Sequence, residues 1–144
     1  MKTRLVDSKK EVFDPVRKRY IACTQEEWVR QIYIKYLMEV LEIPIANIAV
    51  EKKVLINQQV RRFDIVVSIK GQCVVVVECK SPNIALSEDT LFQAATYNSV
   101  LSANYIVLFN GESQLVCKKE GEQYQLCEQI PHFSKLKSLV IKEK

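Results

Sequence analysis

The chain has 144 residues, 48% apolar and 26% charged, with a net charge of +4, the make-up of one ordinary globular domain able to bury most of the surface its unfolded chain exposes. No apolar run approaches the ~20 residues that cross a bilayer, and the charged N-terminus lacks the apolar stretch of a secretory signal, so a cytoplasmic protein with no membrane role is expected. Five cysteines without a CxxC pair argue against a disulfide framework or a structural zinc, His132 as the only histidine argues against Cys/His hydrolysis, and glycine only at 71, 111 and 121 leaves no phosphate-cradling loop for a nucleotide cofactor or a helicase motor.

In chain order, residues 1–19 hold seven Lys or Arg against three acids, and 131–144 hold four Lys against one Glu. Both ends could approach a polyanion, although solvated tails are the simpler account, and 1–11 and 134–144 are expected to fray. Thr24-Gln25-Glu26-Glu27 is a capping-box signature. It opens a helix with Trp28, Ile32, Tyr36 or Leu37, and Val40 or Leu41 at helical spacing until Pro44. Ile48 to Ile56 reads as a strand and Asn57-Gln58-Gln59 as a turn. Two β-branched runs, about 61–69 and 73–79, flank Lys70-Gly71-Gln72, which reads as a tight hairpin link. Ser87-Glu88-Asp89 caps a second helix reaching about Leu101, Tyr105 to Phe109 is a short buried strand, and 113–118 with 123–128 suggest a last hairpin around Gly121. The expected domain is single over 1–144, with a core of about 20–110 and the C-terminal hairpin at about 113–128.

Asp64, Glu78 and Lys80 interrupt or end the two most apolar runs, where charge is tolerated only when paired or bound to metal. With the turn centred on Gly71, Asp64 faces Glu78 across the hairpin, and Lys80 shares the face of Glu78. Opposed carboxylates repel. A hard cation such as Mg²⁺, held by one or two carboxylates and several waters, would reverse that sign, and a nearby ammonium would stabilise charge developing on a phosphate. Removing the Asp64 charge should then stabilise the metal-free chain. The competing accounts are an ion pair of Asp64 with Arg61 or Arg62, a cross-strand pair of Glu78 with Lys80, and reciprocal capping of Glu27 with Thr24; Glu51 could also reach the site, although its place in an alternating strand reads as solvent-facing. Arg61, Arg62, Lys52 and Lys53 are candidates for phosphate contact, against ordinary strand-surface charge.

The spacing Asp64-x₁₃-Glu78-x-Lys80, with the Glu at the end of an apolar strand, resembles the PD-(D/E)XK nuclease superfamily. Phe13-Asp14-Pro15-Val16-Arg17-Lys18, Glu26-Glu27-Trp28-Val29-Arg30-Gln31, Ala49-Val50-Glu51-Lys52, Glu78-Cys79-Lys80-Ser81-Pro82 and Gln93-x₃-Tyr97-Asn98 resemble the N-terminal nuclease domain of the restriction subunit of type I restriction enzymes. The resemblance covers about 12–130. It implies an α/β restriction-endonuclease-like αβββαβ core, a mixed sheet flanked by helices. It further implies Mg²⁺, or Mn²⁺ as a substitute, on Asp64, Glu78 and the Cys79 carbonyl, with Lys80 catalytic, Glu27 as the helix acid, and Gln93 with Tyr97 as the Gln-x-x-x-Tyr motif. Phe63 stands where the superfamily often has Pro. The implied activity is hydrolysis of DNA phosphodiesters, by a stand-alone nuclease, a homodimer, or a cleavage module served by a separate motor or specificity subunit. The alternative is a catalytically silent nucleic-acid- or protein-binding module of the same fold.

Overall fold

The structure is a computed structural model that describes residues 1–140. Its centre is a six-stranded sheet in the order β4-β5-β6-β7-β8-β9, with β4 at Ile48–Ile56, β5 at Gln59–Ile69, β6 at Gln72–Cys79, β7 at Tyr105–Phe109, β8 at Gln114–Glu120 and β9 at Gln123–Cys127. Only β6 and β7 run parallel. The crossover between them is α2, Glu88–Asn98, capped by the Ser87 side chain and followed by a 3-10 turn at Ser99–Leu101. With α1 at Gln25–Glu39, the segment from α1 to β7 has the expected αβββαβ order.

The helices cover opposite faces of the sheet. Val29, Tyr33, Ile34 and Leu37 of α1 pack with Ile65, Val67, Val75 and Val77, whereas Leu91, Ala94 and Ala95 of α2 pack with Phe63, Val66, Val76 and Ile106. The buried stripe of α1 lies one residue away from the spacing expected from Trp28 and Ile32. The cause is a second sheet on the other flank of the helix, which shields Trp28 beneath Lys10 and sets Phe13 and Pro15 across a cleft from Ile34 and Met38.

That second sheet was expected to be partly a frayed tail. It consists of β1 at Thr3–Val6, β2 at Lys9–Asp14 and β3 at Arg19–Ala22, all antiparallel. The C-terminal tail is also packed as far as it is described. A short helix α3, Phe133–Leu136, donates Phe133 N–H to the Leu41 carbonyl at 2.9 Å, and Leu136 and Val140 are buried in the core, so apolar anchors fix it; the rest of the expected fray, 141–144, lies outside the described residues.

The central hairpin reaches its register by a route the sequence argument did not foresee. The β5–β6 link is a two-residue turn, Lys70-Gly71, with φ of 51° and 77° at those residues, the left-handed pair a tight twisted hairpin needs. It pairs Ser68 with Cys73, one residue out of the expected register; a bulge between Val67 and Ser68 restores it, so that Val67 faces Val75 and Ile65 faces Val77. Asp64 and Glu78 lie one residue beyond the last paired rung, where the Cys79 N–H donates to the Asp64 carboxylate at 2.9 Å.

Candidate functional site

On β4 and β5 the in-and-out alternation stutters where the acids sit. Val50 and Ile65 belong to the α1 side of the sheet, and the neighbouring Glu51 and Asp64 reach Arg30 on α1 as well. Beyond them, Val54, Ile56 and Phe63 have turned to the α2 side. Glu51 has φ +51° in mid-strand, a conformation L residues other than Gly, Asn and Asp adopt at some cost. That local twist puts a core pair and an acid pair on the same side of the ribbon.

Two arginines, Arg30 buried and Arg17 partly buried, hold these acids. Arg17, from the loop after β2, binds Asp14, donates to Glu27 at 2.7 Å and to Glu51 at 3.3 Å. Arg30, 3% exposed at its side chain, donates to Glu27 at 2.7 Å, Asp64 at 3.1 Å and Glu26 at 3.3 Å, and lies 3.6 Å from Glu51. Burial alone would lower the Arg30 pKa; Glu27, Asp64 and Glu51 outweigh it and raise it. The second oxygen of Asp64 accepts the Cys79 N–H at 2.9 Å. Asp64 therefore pairs with α1, not with Arg61 or Arg62.

Glu78 and Lys80 form the looser half. Their charged atoms are 3.8 Å apart, each side chain about 30% exposed. Burial raises the Glu78 pKa, Lys80 pulls it down, and the Asp64 charge pushes it up again. Lys80 is fixed by its backbone, whose N–H donates to the Phe109 carbonyl at 2.8 Å and extends the parallel ladder by one bond. Cys79 is buried and its thiol pushed far above the ordinary range, first by burial and then by Asp64, which suits a filler and not a nucleophile; all five cysteines are free.

Asp64, Glu78 and Lys80 thus meet at one end of the β5–β6 hairpin, and Glu27 joins them through Arg30. The capping box is half realised. Thr24 accepts the Glu27 N–H at 3.0 Å, but the Glu27 carboxylate takes Arg17, Arg30 and Gln31 instead of returning to the cap. Gln93 and Tyr97 are exposed on α2, away from these contacts. Tyr97 carries the Arg61 guanidinium 4.3 Å above its ring, and Arg61 also donates to the Tyr97 carbonyl at 3.0 Å. Lys52, Lys53 and Arg62 are exposed on the outer part of the β4–β5 ribbon.

Arg17, Arg30 and Asp14 had no assigned role in the sequence argument, and Glu51 was read as solvent-facing. The available signal was Arg30 itself, a charge set between Val29 and the buried Tyr33 and Ile34 of an amphipathic helix. Six carboxylates (Asp14, Glu26, Glu27, Glu51, Asp64, Glu78) share three cations (Arg17, Arg30, Lys80). The cluster is left with excess negative charge. Among the described residues, no group of three or more His, Cys, Asp or Glu side chains is arranged to hold a metal ion, so a cation here would rest on the two carboxylates and backbone oxygen.

A mixed sheet between α1 and α2, with an acidic cluster at the end of its central hairpin, is a restriction-endonuclease-like architecture. The chain belongs to the family described as type I restriction enzyme R protein N terminus, whose model matches residues 25–131. No curated protein matched the sequence. No helix among the described residues is long and apolar enough to cross a membrane.

Proposed function

We propose that this nuclease-like domain is a Mg²⁺-dependent nuclease that hydrolyses DNA phosphodiester bonds, alone or as the cleavage module of a restriction or DNA-processing system. The observation that carries the reading is Glu78, a half-buried carboxylate whose pKa is raised by burial and by Asp64 and whose one ion-pair partner, Lys80, lies 3.8 Å away. A group in that state is relieved by a cation. Asp64, Glu78 and the Cys79 carbonyl are oxygen donors only, which fits Mg²⁺, with Mn²⁺ as a substitute, and disfavours zinc.

When bound, the metal supplies Lewis-acid polarisation of a phosphoryl oxygen and a water of lowered pKa. The chain's own residues do the rest. Arg30 and the Cys79 N–H hold Asp64 in one orientation. Lys80, half exposed at the end of β6, faces the phosphate and stabilises the charge that develops on it. Glu27, held by both arginines, acts here as the anchor of Arg30 and not as a free donor. Gln93 and Tyr97 on the exposed face of α2 are proposed to touch the nucleic acid and not the reacting atoms. Lys52, Lys53, Arg61 and Arg62 supply phosphate contacts, with Arg61 held to α2 by Tyr97. A motor or specificity subunit, or a second copy, would act from outside this domain.

Calorimetric titration of Mn²⁺ into the wild type and Glu78→Gln, with cleavage of supercoiled and linear DNA followed in parallel, tests the reading. Binding should weaken at least tenfold in the variant and cleavage should vanish. Unchanged metal affinity in Glu78→Gln would move the site elsewhere, and metal binding without any cleavage would favour a silent binding module.

A further inference from the structure

The β4–β5 ribbon continues beyond the rest of the sheet. The last β5–β6 rung on this side is Ile65 with Val77, whereas the β4–β5 rungs run on through Lys52–Phe63, Lys53–Arg62, Val54–Arg61 and Leu55–Val60 to Ile56–Gln59. One face of this two-stranded extension is seated on α2 by Val54, Ile56 and Phe63 and by Arg61 on Tyr97. Its other face is Lys53, Arg62, Leu55 and Val60, with Leu55 70% and Val60 67% exposed.

Two features of that free face require a partner. Lys53 and Arg62 are directly opposed, and like charges on one rung repel. Neither has an ion-pair partner among the described residues. Leu55 and Val60, also directly opposed, form an apolar pair beside the left-handed Asn57-Gln58 turn. Outward from Glu51 and Asp64, which Arg30 holds, the free face therefore reads basic pair then apolar pair, each step two residues or ~7 Å.

We propose that this face enters the major groove of duplex DNA beside the phosphate at the acidic site, with Lys53 and Arg62 on backbone phosphates and Leu55 and Val60 against base edges. The proposal rests on the nuclease reading for the class of partner. B-DNA's major groove, ~12 Å wide, admits a two-stranded ribbon and displays thymine methyls to apolar side chains; the deep, narrow major groove of A-form RNA admits neither. A polyanion cancels the Lys53–Arg62 repulsion. An apolar pair next to that basic rung gains by covering the sugar and base surface, so the two rungs favour one occupant. A second copy of the chain would cover Leu55 and Val60 but bring four like charges together.

The test is anisotropy of labelled duplexes with Ca²⁺ replacing Mg²⁺, over a salt series, on the full chain. Lys53→Gln with Arg62→Gln should make the log–log salt slope shallower by about 1.8, roughly 0.9 per lost phosphate contact. Leu55→Ser with Val60→Ser removes only exposed side chains, and should weaken binding roughly tenfold at every salt with the slope unchanged. Replacing thymine by uracil in the duplex should weaken the wild type and leave the Leu55/Val60 double variant unaffected. Wild-type binding by that variant at all salts overturns the proposal, as does a wild-type dimer in sedimentation that the variant dissolves. Ribbon-dependent binding with no cleavage in Mg²⁺ would overturn hydrolysis and keep the ribbon, whereas cleavage indifferent to both double variants at subsaturating DNA would overturn the ribbon and keep hydrolysis.

Discussion

Asp64 and Glu78 sit on the same end of one hairpin in opposite electrostatic conditions. Asp64 has both oxygens engaged, by the Arg30 guanidinium and the Cys79 N–H. Glu78 has a 3.8 Å contact to Lys80 and a raised pKa. Both are partly buried. What separates them is the partner: Asp64 meets the buried Arg30 guanidinium at 3.1 Å, whereas Glu78 meets a partly exposed ammonium at 3.8 Å that does not offset its burial. One carboxylate therefore serves the fold, and the other is held at a cost.

The largest expected effect breaks the Asp64 half. Arg30→Met removes the guanidinium shared by Glu27, Asp64, Glu51 and Glu26 and leaves the buried Glu27 to Arg17 and the partly buried Asp64 without a cation, which should lower stability by about 3 kcal/mol in urea unfolding. A loss below ~1 kcal/mol, the scale of exposed pairs, would mean that solvent already screens the cluster.

Lys80→Ala probes the other half. With one long contact and a side chain 31% exposed, it should leave the unfolding midpoint and Mn²⁺ affinity nearly unchanged while single-turnover cleavage falls ~10²–10³-fold, as on removal of a positioned electrostatic donor. If metal affinity and stability fell along with the rate, Lys80 would be a strap for the hairpin.

The smallest effects sharpen the comparison by their signs. In the presence of a chelator, Asp64→Asn should destabilise by roughly 1.5–3 kcal/mol, the range for a hydrogen bond to a charged group. The ion pair with Arg30 thus reverses the expectation, drawn from the sequence, that removing this charge would stabilise the chain. Glu78→Gln should stabilise slightly. Its folded pKa is raised, so the folded state holds the proton more tightly than the unfolded one; that contribution is full below the ordinary glutamate range and is lost as pH rises through the raised value. Wild type and Glu78→Gln should converge in acid and separate towards neutral pH, with the variant the more stable. Thermal melts from acid to neutral pH would read this, and a common sign for the two substitutions would erase the contrast.

Much of the frame was legible in the chain. The strands Ile48–Ile56 and Tyr105–Phe109 carry clear apolar patterns bounded by turn residues, and they fold over those spans. The Thr24 and Ser87 caps opened helices where expected, because each satisfies a backbone N–H within three residues. The N-terminal sheet was missed since β1 is wholly exposed and β2 buries only Val12 and Asp14; the hint was Asp7-Ser8 between Leu5-Val6 and Val12-Phe13, a two-residue turn with both φ positive.

By itself the sequence determined the order of the core elements and the meeting of Asp64, Glu78 and Lys80, since hairpin partners are fixed by spacing along one local stretch, and here a bulge offset a shorter turn. Only the tertiary structure decided which of those charges is satisfied. Arg30 meets Asp64, and Arg17 meets Glu51, each across 34 residues of chain, through the packing of α1 between two sheets and the left-handed backbone at Glu51. Contacts of that kind depend on the relative orientation of separate elements, which many side chains set together and no spacing encodes.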